Sequence, residues 1–268
     1  MNTPIFLFRL QRTFLFLVAA LLMTQYALAL APPKQDFYEI KVYYLKTPAQ
    51  AERVHAYLKN AYLPALQRAG FSKVGVFQPV PTDTAAGKRI YVFTPLKSLD
   101  QVMEITDKLA KDKQYLTAGA DYINAAYNDV PYSRMETILL KAFSQMPAFK
   151  APNHKTPHSE RIYELRSYEG HTEKIYKNKV QMFNEGGEVK IFEKLGFNAV
   201  FYGEVIAGSR MPNLMYMTTF ENKASRDAHW KAFSADPDWK TLSGKPEYKN
   251  NVSKNVTLFL NPAPYSGI

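Results

Sequence analysis

The sequence predicts an α+β protein made of two tandem ferredoxin-like βαββαβ domains whose sheets cover one another. Three observations carry that prediction. The stretch YEIKVYY at residues 38–44 returns as YELRSYE at 163–169, 125 positions further on. The same order of strand and helix patterns follows each copy. The chain also has no cysteine, so neither disulfides nor thiolate-bound metal can staple it, and packing must hold the halves together.

The N-terminal residues stand apart from this plan. Arg9 and Arg12 precede an unbroken apolar run over residues 14–23, Ala27-Leu28-Ala29 has the small-x-small form of a cleavage site, and Pro32 and Pro33 follow. Residues 1–29 are expected to be a signal peptide, cleaved after Ala29, which makes the mature protein periplasmic or secreted. The apolar run is shorter than the roughly 20 residues of a spanning helix, so no membrane partner is expected after cleavage.

The formal charge of +10 falls to +8 without Arg9 and Arg12. The remaining basic residues are interspersed with acidic ones rather than gathered into runs, the pattern of a solvated surface, and nucleic acid is not expected as a partner.

In the first domain, residues 36–144, alternation over Phe37 to Leu45 predicts a strand. Pro48 opens a helical pattern over 49–69 that ends at Gly70, and the segments FSKVGVFQPV and KRIYVFTPL read as strands on either side of a polar loop at 81–87. Ser98 and Gln101 form a capping-box pair for a helix to about Lys111, and RMETILLKAF supplies the fourth strand. A proline-rich polar segment, 145–159, reads as a linker. The second domain, 160–262, repeats the order: strand 161–169, helix 172–195, strands 198–206 and 213–220, helix 224–233 and strand 252–260. In a βαββαβ unit both helices lie on one face of the sheet and leave the other bare.

Alternate strand residues point to opposite faces. Tyr38, Ile40 and Val42 therefore share one face and Glu39, Lys41 and Tyr43 the other; Tyr163, Leu165 and Ser167 oppose Glu164, Arg166 and Tyr168 in the same way. The expectation is that the apolar set packs under the helices. The acid, base and tyrosine would then line an interior shared by the two sheets, either as a site or as cross-strand ion pairs.

Several stretches carry a family resemblance: RIYELRSYEGHTEK at 161–174, VQMFNEGGEVKIFEKLGF at 180–197, MPNLMYMTTFENKASRDAHWKAFSADPDWK at 211–240, and YLPALQRAGFSKVGVFQP in the first domain. On these residues the chain is similar to the NIPSNAP family, of the exported bacterial kind with two domains. The resemblance implies a dimeric-α/β-barrel-type fold, closed here as a pseudo-dimer within one chain. Relatives on that fold enclose a substrate or haem, among them cofactor-independent monooxygenases, isomerases and chlorite dismutases. The first domain departs from the pattern, because VMEITDKLAKDKQYL replaces the paired tryptophans of RDAHWKAFSADPDWK.

The candidate catalytic residues are Glu164 as proton carrier, Arg166 as anion-binding cation and Tyr168 as hydrogen-bond donor. Glu39, Lys41 and Tyr43 are their counterparts in the first half and candidate ligand-binding residues. The glycines of NEGGE at 184–188 mark either a simple helix break or a pocket mouth lined by Glu188. His171 and His229 are the remaining binding candidates, and haem would require one of them to point inward. His154 and His158 flank Pro157 in the linker, so no metal site is expected. No HExxH, GxSxG or phosphate-loop motif occurs.

The expected function is small-molecule binding in the barrel interior, extending to cofactor-independent oxygenase or isomerase chemistry. The alternatives are a non-catalytic interaction module and a haem-binding protein, and a homo-oligomer is left open. An open polar interior would favour ligand chemistry; an interior of interdigitated apolar side chains would favour the interaction module.

Overall fold

The computed structural model describes residues 34–268, and the signal segment assigned to 1–29 lies outside the described residues. Gln35–Ile268 form one compact unit. Its elements run β1 (Phe37–Tyr44), α1 (Pro48–Tyr57), a π-helical turn (Leu58–Tyr62), α2 (Leu63–Arg68), β2 (Gly75–Pro79), β3 (Arg89–Leu96), α3 (Asp100–Lys111), α4 (Lys113–Ala118), α5 (Ala120–Ile123) and β4 (Arg134–Ala142). The second half continues with β5 (Ile162–Glu169), α6 (Glu173–Phe183), α7 (Glu188–Lys194), β6 (Asn198–Ala207), β7 (Asn213–Phe220), α8 (Lys223–Ala235), α9 (Pro237–Gly244) and β8 (Lys254–Pro262).

Local chemistry explains where the helices begin. Thr47 caps α1 by accepting from the Gln50 N–H, with Pro48 at the first helical position. Thr172 caps α6 through the Ile175 N–H and Asn222 caps α8 through the Ser225 N–H. Asp236 starts α9 by accepting from the Asp238 and Trp239 N–H groups at 2.9 and 3.1 Å. At α3 the expected Ser98–Gln101 capping box does not form: Leu99 stands at the N-cap without a side-chain bond, and Gln101 Oε1 accepts from the Lys97 N–H instead.

The long helix expected over 172–195 breaks at 184–187. Gly187 takes a φ of 95°, in the left-handed region that glycine enters at little cost, and α7 starts again at Glu188.

Eight antiparallel strands close into a barrel in the order β1-β3-β2-β8-β5-β7-β6-β4. Each half supplies the same four-strand arrangement, with β1 between β3 and β4, and β5 between β7 and β8. The β2–β8 and β4–β6 ladders join the halves. This is the α+β barrel that the repeated βαββαβ order predicts.

Three apolar clusters result, and they reverse one expectation. The barrel interior is filled by Tyr38, Ile40 and Val42 of β1, Tyr163 and Leu165 of β5, and large side chains of the other strands such as Phe93 and Phe201. A bulge at Ala199/Phe201 turns both Val200 and Phe201 inward. The helices of the first half cover Tyr43, Ile90 and Val92, and those of the second cover Tyr202, Leu214 and Tyr216. The set predicted to pack under the helices therefore lines the barrel. Glu39, Lys41 and Tyr43, with Glu164, Arg166 and Tyr168, lie on the helix-covered face instead.

The physical reason is the supply of donors. The barrel interior is built from strand side chains packed against one another, whereas the helix layer brings Arg226, Trp230 and Lys179 to the buried charges. A buried charge is tolerated only where partners satisfy it.

The segment 145–159 is fastened to the second half rather than free. His154 Nε2 lies 3.0 Å from Thr219 Oγ1, and Glu221 accepts from the Thr156 hydroxyl and from the Lys155 and Thr156 N–H groups. Among the described residues, no helix is long and apolar enough to cross a membrane.

Candidate functional site

Two places in the fold concentrate polar groups out of water. The first is the helix-covered face of the second half, where the strand repeat puts Glu164, Arg166 and Tyr168. Glu164 is fully buried. Its Oε1 accepts from Arg166 Nε at 2.6 Å and Arg226 Nη2 at 2.9 Å, and its Oε2 accepts from Arg226 Nε at 2.7 Å and Trp230 Nε1 at 2.8 Å. Every direction of the carboxylate is taken, so Glu164 would have to give up a partner before it could accept a substrate proton. The Arg166 guanidinium lies 3.7 Å over the Trp230 ring and donates to the Tyr168 hydroxyl, which is 2.9 Å from that of Tyr216. Trp230, one of the paired tryptophans of the second domain, is a donor to the buried acid.

Glu188 joins this region from α7. It is buried and accepts from Lys179 Nζ at 2.8 Å. Burial raises its carboxyl above the usual carboxylate range, against the pull of Lys179 and Arg166. The NEGGE break thus delivers a buried ion pair and not an open mouth.

In the first half, Glu39 lies 3.4 Å from Lys41 Nζ, which also donates to the Tyr62 hydroxyl. Tyr43 packs edge-on against Tyr122 and Tyr132. The π-helical turn carries Tyr62 into this cluster. Charge pairing and aromatic packing account for all three repeat residues on this side.

Neither candidate histidine faces the barrel. His171 is exposed in the turn after β5. His229 lies in the helix layer, its Nδ1–H donating to the Ser225 carbonyl and its ring packed against Phe197 and Phe220. Neither His171 nor His229 is therefore placed to serve as an axial haem ligand in the barrel interior. Among the described residues, no three or more His, Asp or Glu side chains are grouped to hold a metal ion.

The second place is the barrel mouth at the C-terminal ends of β1 and β5. A cavity of about 50 Å³ opens there, enough for a few water molecules at roughly 10–15 Å³ each. Its floor is apolar, with Ile40, Leu165 and Met215, and its rim is polar, with Tyr44, Glu136, Ser167, Ser209, Arg210 and Asn213. The Tyr44 hydroxyl donates to Glu136 Oε2 at 2.9 Å, and the Arg89 guanidinium lies 3.8 Å over the Tyr44 ring. Arg210, at the tip of the β6–β7 connection, takes a φ of 69°, an uncommon conformation for a side chain of its size.

None of these rim residues was singled out from the sequence. Tyr44 and Glu169 nevertheless end the two quoted repeats, on the same strand parity as Tyr38 and Tyr163. Once that parity is known to face inward, the alternation itself leads to the mouth.

The family model for NIPSNAP matches residues 163–267, from the repeated strand β5 to the C-terminal tail. Over those residues the second half of this chain is similar to a NIPSNAP domain. The Glu164–Arg226–Trp230 network and the Lys179–Glu188 pair both lie within the matched residues. No curated protein sequence matches the chain. Three solved structures share its architecture over most of their length. A provisional monooxygenase from Lactobacillus acidophilus NCFM is 12% identical with a TM-score of 0.52, covering 85% of this chain and 94% of that one. A provisional monooxygenase from Fusobacterium nucleatum is 8% identical with a TM-score of 0.56, covering 86% and 93%. An anthrone oxidase-like protein is 10% identical with a TM-score of 0.52, covering 87% and 94%. At such identities the likeness is one of fold.

Proposed function

We propose that this NIPSNAP-domain protein is an exported small-molecule-binding protein whose ligand enters the barrel at the Tyr44–Glu136–Asn213 mouth. The observation that carries this reading is the cavity there, with its apolar floor and polar rim, the usual chemistry of a ligand site. The rest of the barrel interior is interdigitated apolar packing, so the mouth is where a ligand meets little resistance. Solved structures of the same fold that bear monooxygenase and oxidase descriptions agree with a small-molecule role.

The test is a thermal-shift screen of the purified chain against small carboxylates, phenols and quinones, with Met215→Trp, which fills the cavity, alongside. A ligand at 100 times its Kd adds about 2.7 kcal/mol. A shift lost in Met215→Trp supports the mouth. A folded protein that responds to no compound moves the assignment to an interaction module. Export is tested by the intact mass of the chain recovered from a bacterial periplasm, which should lack residues 1–29.

A second reading, catalysis of the oxygenase or isomerase kind without a cofactor, is favoured by the buried acids and cations around Arg166, Tyr168, Lys179 and Glu188. In that reading Glu188 is the group that takes up the substrate proton, and Arg166 and Tyr168 face the developing negative charge. Glu188→Gln should then abolish any turnover found while leaving mouth binding intact. Unchanged turnover would remove the reading.

A further inference from the structure

Two acceptor oxygens at the barrel mouth are buried without a donor, on residues that face each other. Glu169 and Asn213 are paired across the β5–β7 ladder, where alternation sets them on the interior face with Ser167 and Met215. Asn213 is almost fully buried and lines the cavity. Its Nδ2 donates to the Ser167 hydroxyl at 3.0 Å, but its Oδ1 accepts nothing, and neither does Glu169 Oε1. A buried acceptor left unpaired costs about 1–3 kcal/mol. Two on one register pair are a standing cost that an incoming donor would remove.

The matching register pair in the first half carries no such vacancy. Tyr44 and Arg89 face each other there in the β1–β3 ladder. The Tyr44 hydroxyl is already spent on Glu136, and the Arg89 guanidinium donates to the Lys88 carbonyl while stacking on the Tyr44 ring. Unmet acceptors are thus confined to the β5–β7 side of the mouth.

Charge selects among donors. Arg89 stacks on the Tyr44 ring and Arg210 lines the same cavity, so an ammonium entering past them meets two like charges. Glu136 and Glu169 repel a carboxylate in the same way. An uncharged hydroxyl avoids both.

We infer that the mouth takes an uncharged, hydroxyl-bearing compound with an apolar body. The body lies on Ile40, Leu165 and Met215. The hydroxyl donates to Asn213 Oδ1, and a second hydroxyl, where present, donates to Glu169 Oε1. This rests on the mouth being the ligand site.

The experiment is a calorimetric binding series on the full chain with phenol, catechol, anisole, toluene, benzylamine and benzoate. A site built to pair a hydroxyl discriminates against analogues that lack it. Phenol and catechol should therefore bind at least about tenfold more tightly than anisole and toluene, the equivalent of about 1.4 kcal/mol. Benzylamine and benzoate should bind more weakly than phenol. In Asn213→Leu, phenol and anisole should converge, and in Met215→Trp all binding should fall away. The wild-type series decides the matter even if Asn213→Leu does not fold. Equal affinities across the neutral compounds, or tighter binding of benzylamine, would overturn the inference and leave the mouth as a site. In that event water satisfies the two oxygens. No binding by any member would overturn the mouth as well.

Discussion

Arg226 on α8 grips Glu164 on β5 with two parallel hydrogen bonds, Nε to Oε2 at 2.7 Å and Nη2 to Oε1 at 2.9 Å. The fork joins a helix to a strand 62 residues away in the chain, in the bidentate geometry that makes guanidinium–carboxylate pairs strong. Since Arg166 and Trp230 complete the same carboxylate, removing it strands two guanidinium groups in a water-poor layer. Glu164→Ala should cost about 3–5 kcal/mol, read as a lower urea midpoint at unchanged slope. A loss below about 1 kcal/mol would mean that water reaches the cluster.

The fastening of residues 154–156 to the end of β7 should show in acid. The Thr156 hydroxyl, with the Thr156 and Lys155 N–H groups, holds the Glu221 carboxyl down to about 2 from its ordinary 4.5. A carboxyl lowered by folding stabilises the protein above its unfolded value, and that contribution is lost as pH falls through the folded one. The melting temperature of the wild type should therefore drop toward that of Glu221→Gln between about pH 5 and pH 2. Parallel curves over that window would place the Thr156 contact outside the folded state in solution.

Gly187 permits the break between α6 and α7. At a φ of 95° any L side chain is disfavoured by about 1–2 kcal/mol, so Gly187→Ala should destabilise by that amount in chemical denaturation. Gly186→Ala should also destabilise, for a different reason: its Cβ would sit 2.5 Å from the Met182 carbonyl oxygen. If Gly187→Ala were neutral, the left-handed turn would not be required.

The Tyr38 hydroxyl is buried in the barrel with no hydrogen-bond partner, and burial drives its phenol well above the ordinary value. Tyr38→Phe keeps the ring contacts with Phe93 and Phe201 while deleting the orphan oxygen. Stability should hold or rise, by up to about 1–3 kcal/mol. A clear loss would reveal a partner for the hydroxyl.

Much of the architecture is legible in the chain. The strand over 213–220 and the helix expected from 224 appear where the repeated order of elements puts them, and the glycines of NEGGE mark a real break. Less was visible where the signal is tertiary. The α4 and α5 helices have no buried apolar residue of their own, so their helical pattern is weak. Asn213, the residue that gives the mouth its character, is a single polar residue opening a strand. Only the ladder that sets it opposite Glu169 lends it meaning.

By itself the sequence determined that two copies of one βαββαβ unit exist, which residues of each strand share a face, and that Glu164, Arg166 and Tyr168 travel together. Only the tertiary structure decided which face turns inward. Alternation of period two is symmetric between faces, and in a closed barrel with helices outside, both faces of every strand are buried. The choice falls to whichever layer can satisfy buried charge. Here the helices carry Arg226, Trp230 and Lys179 to meet the acids, while the barrel interior, made of strands alone, takes the apolar set and leaves its unmet polar groups at the mouth.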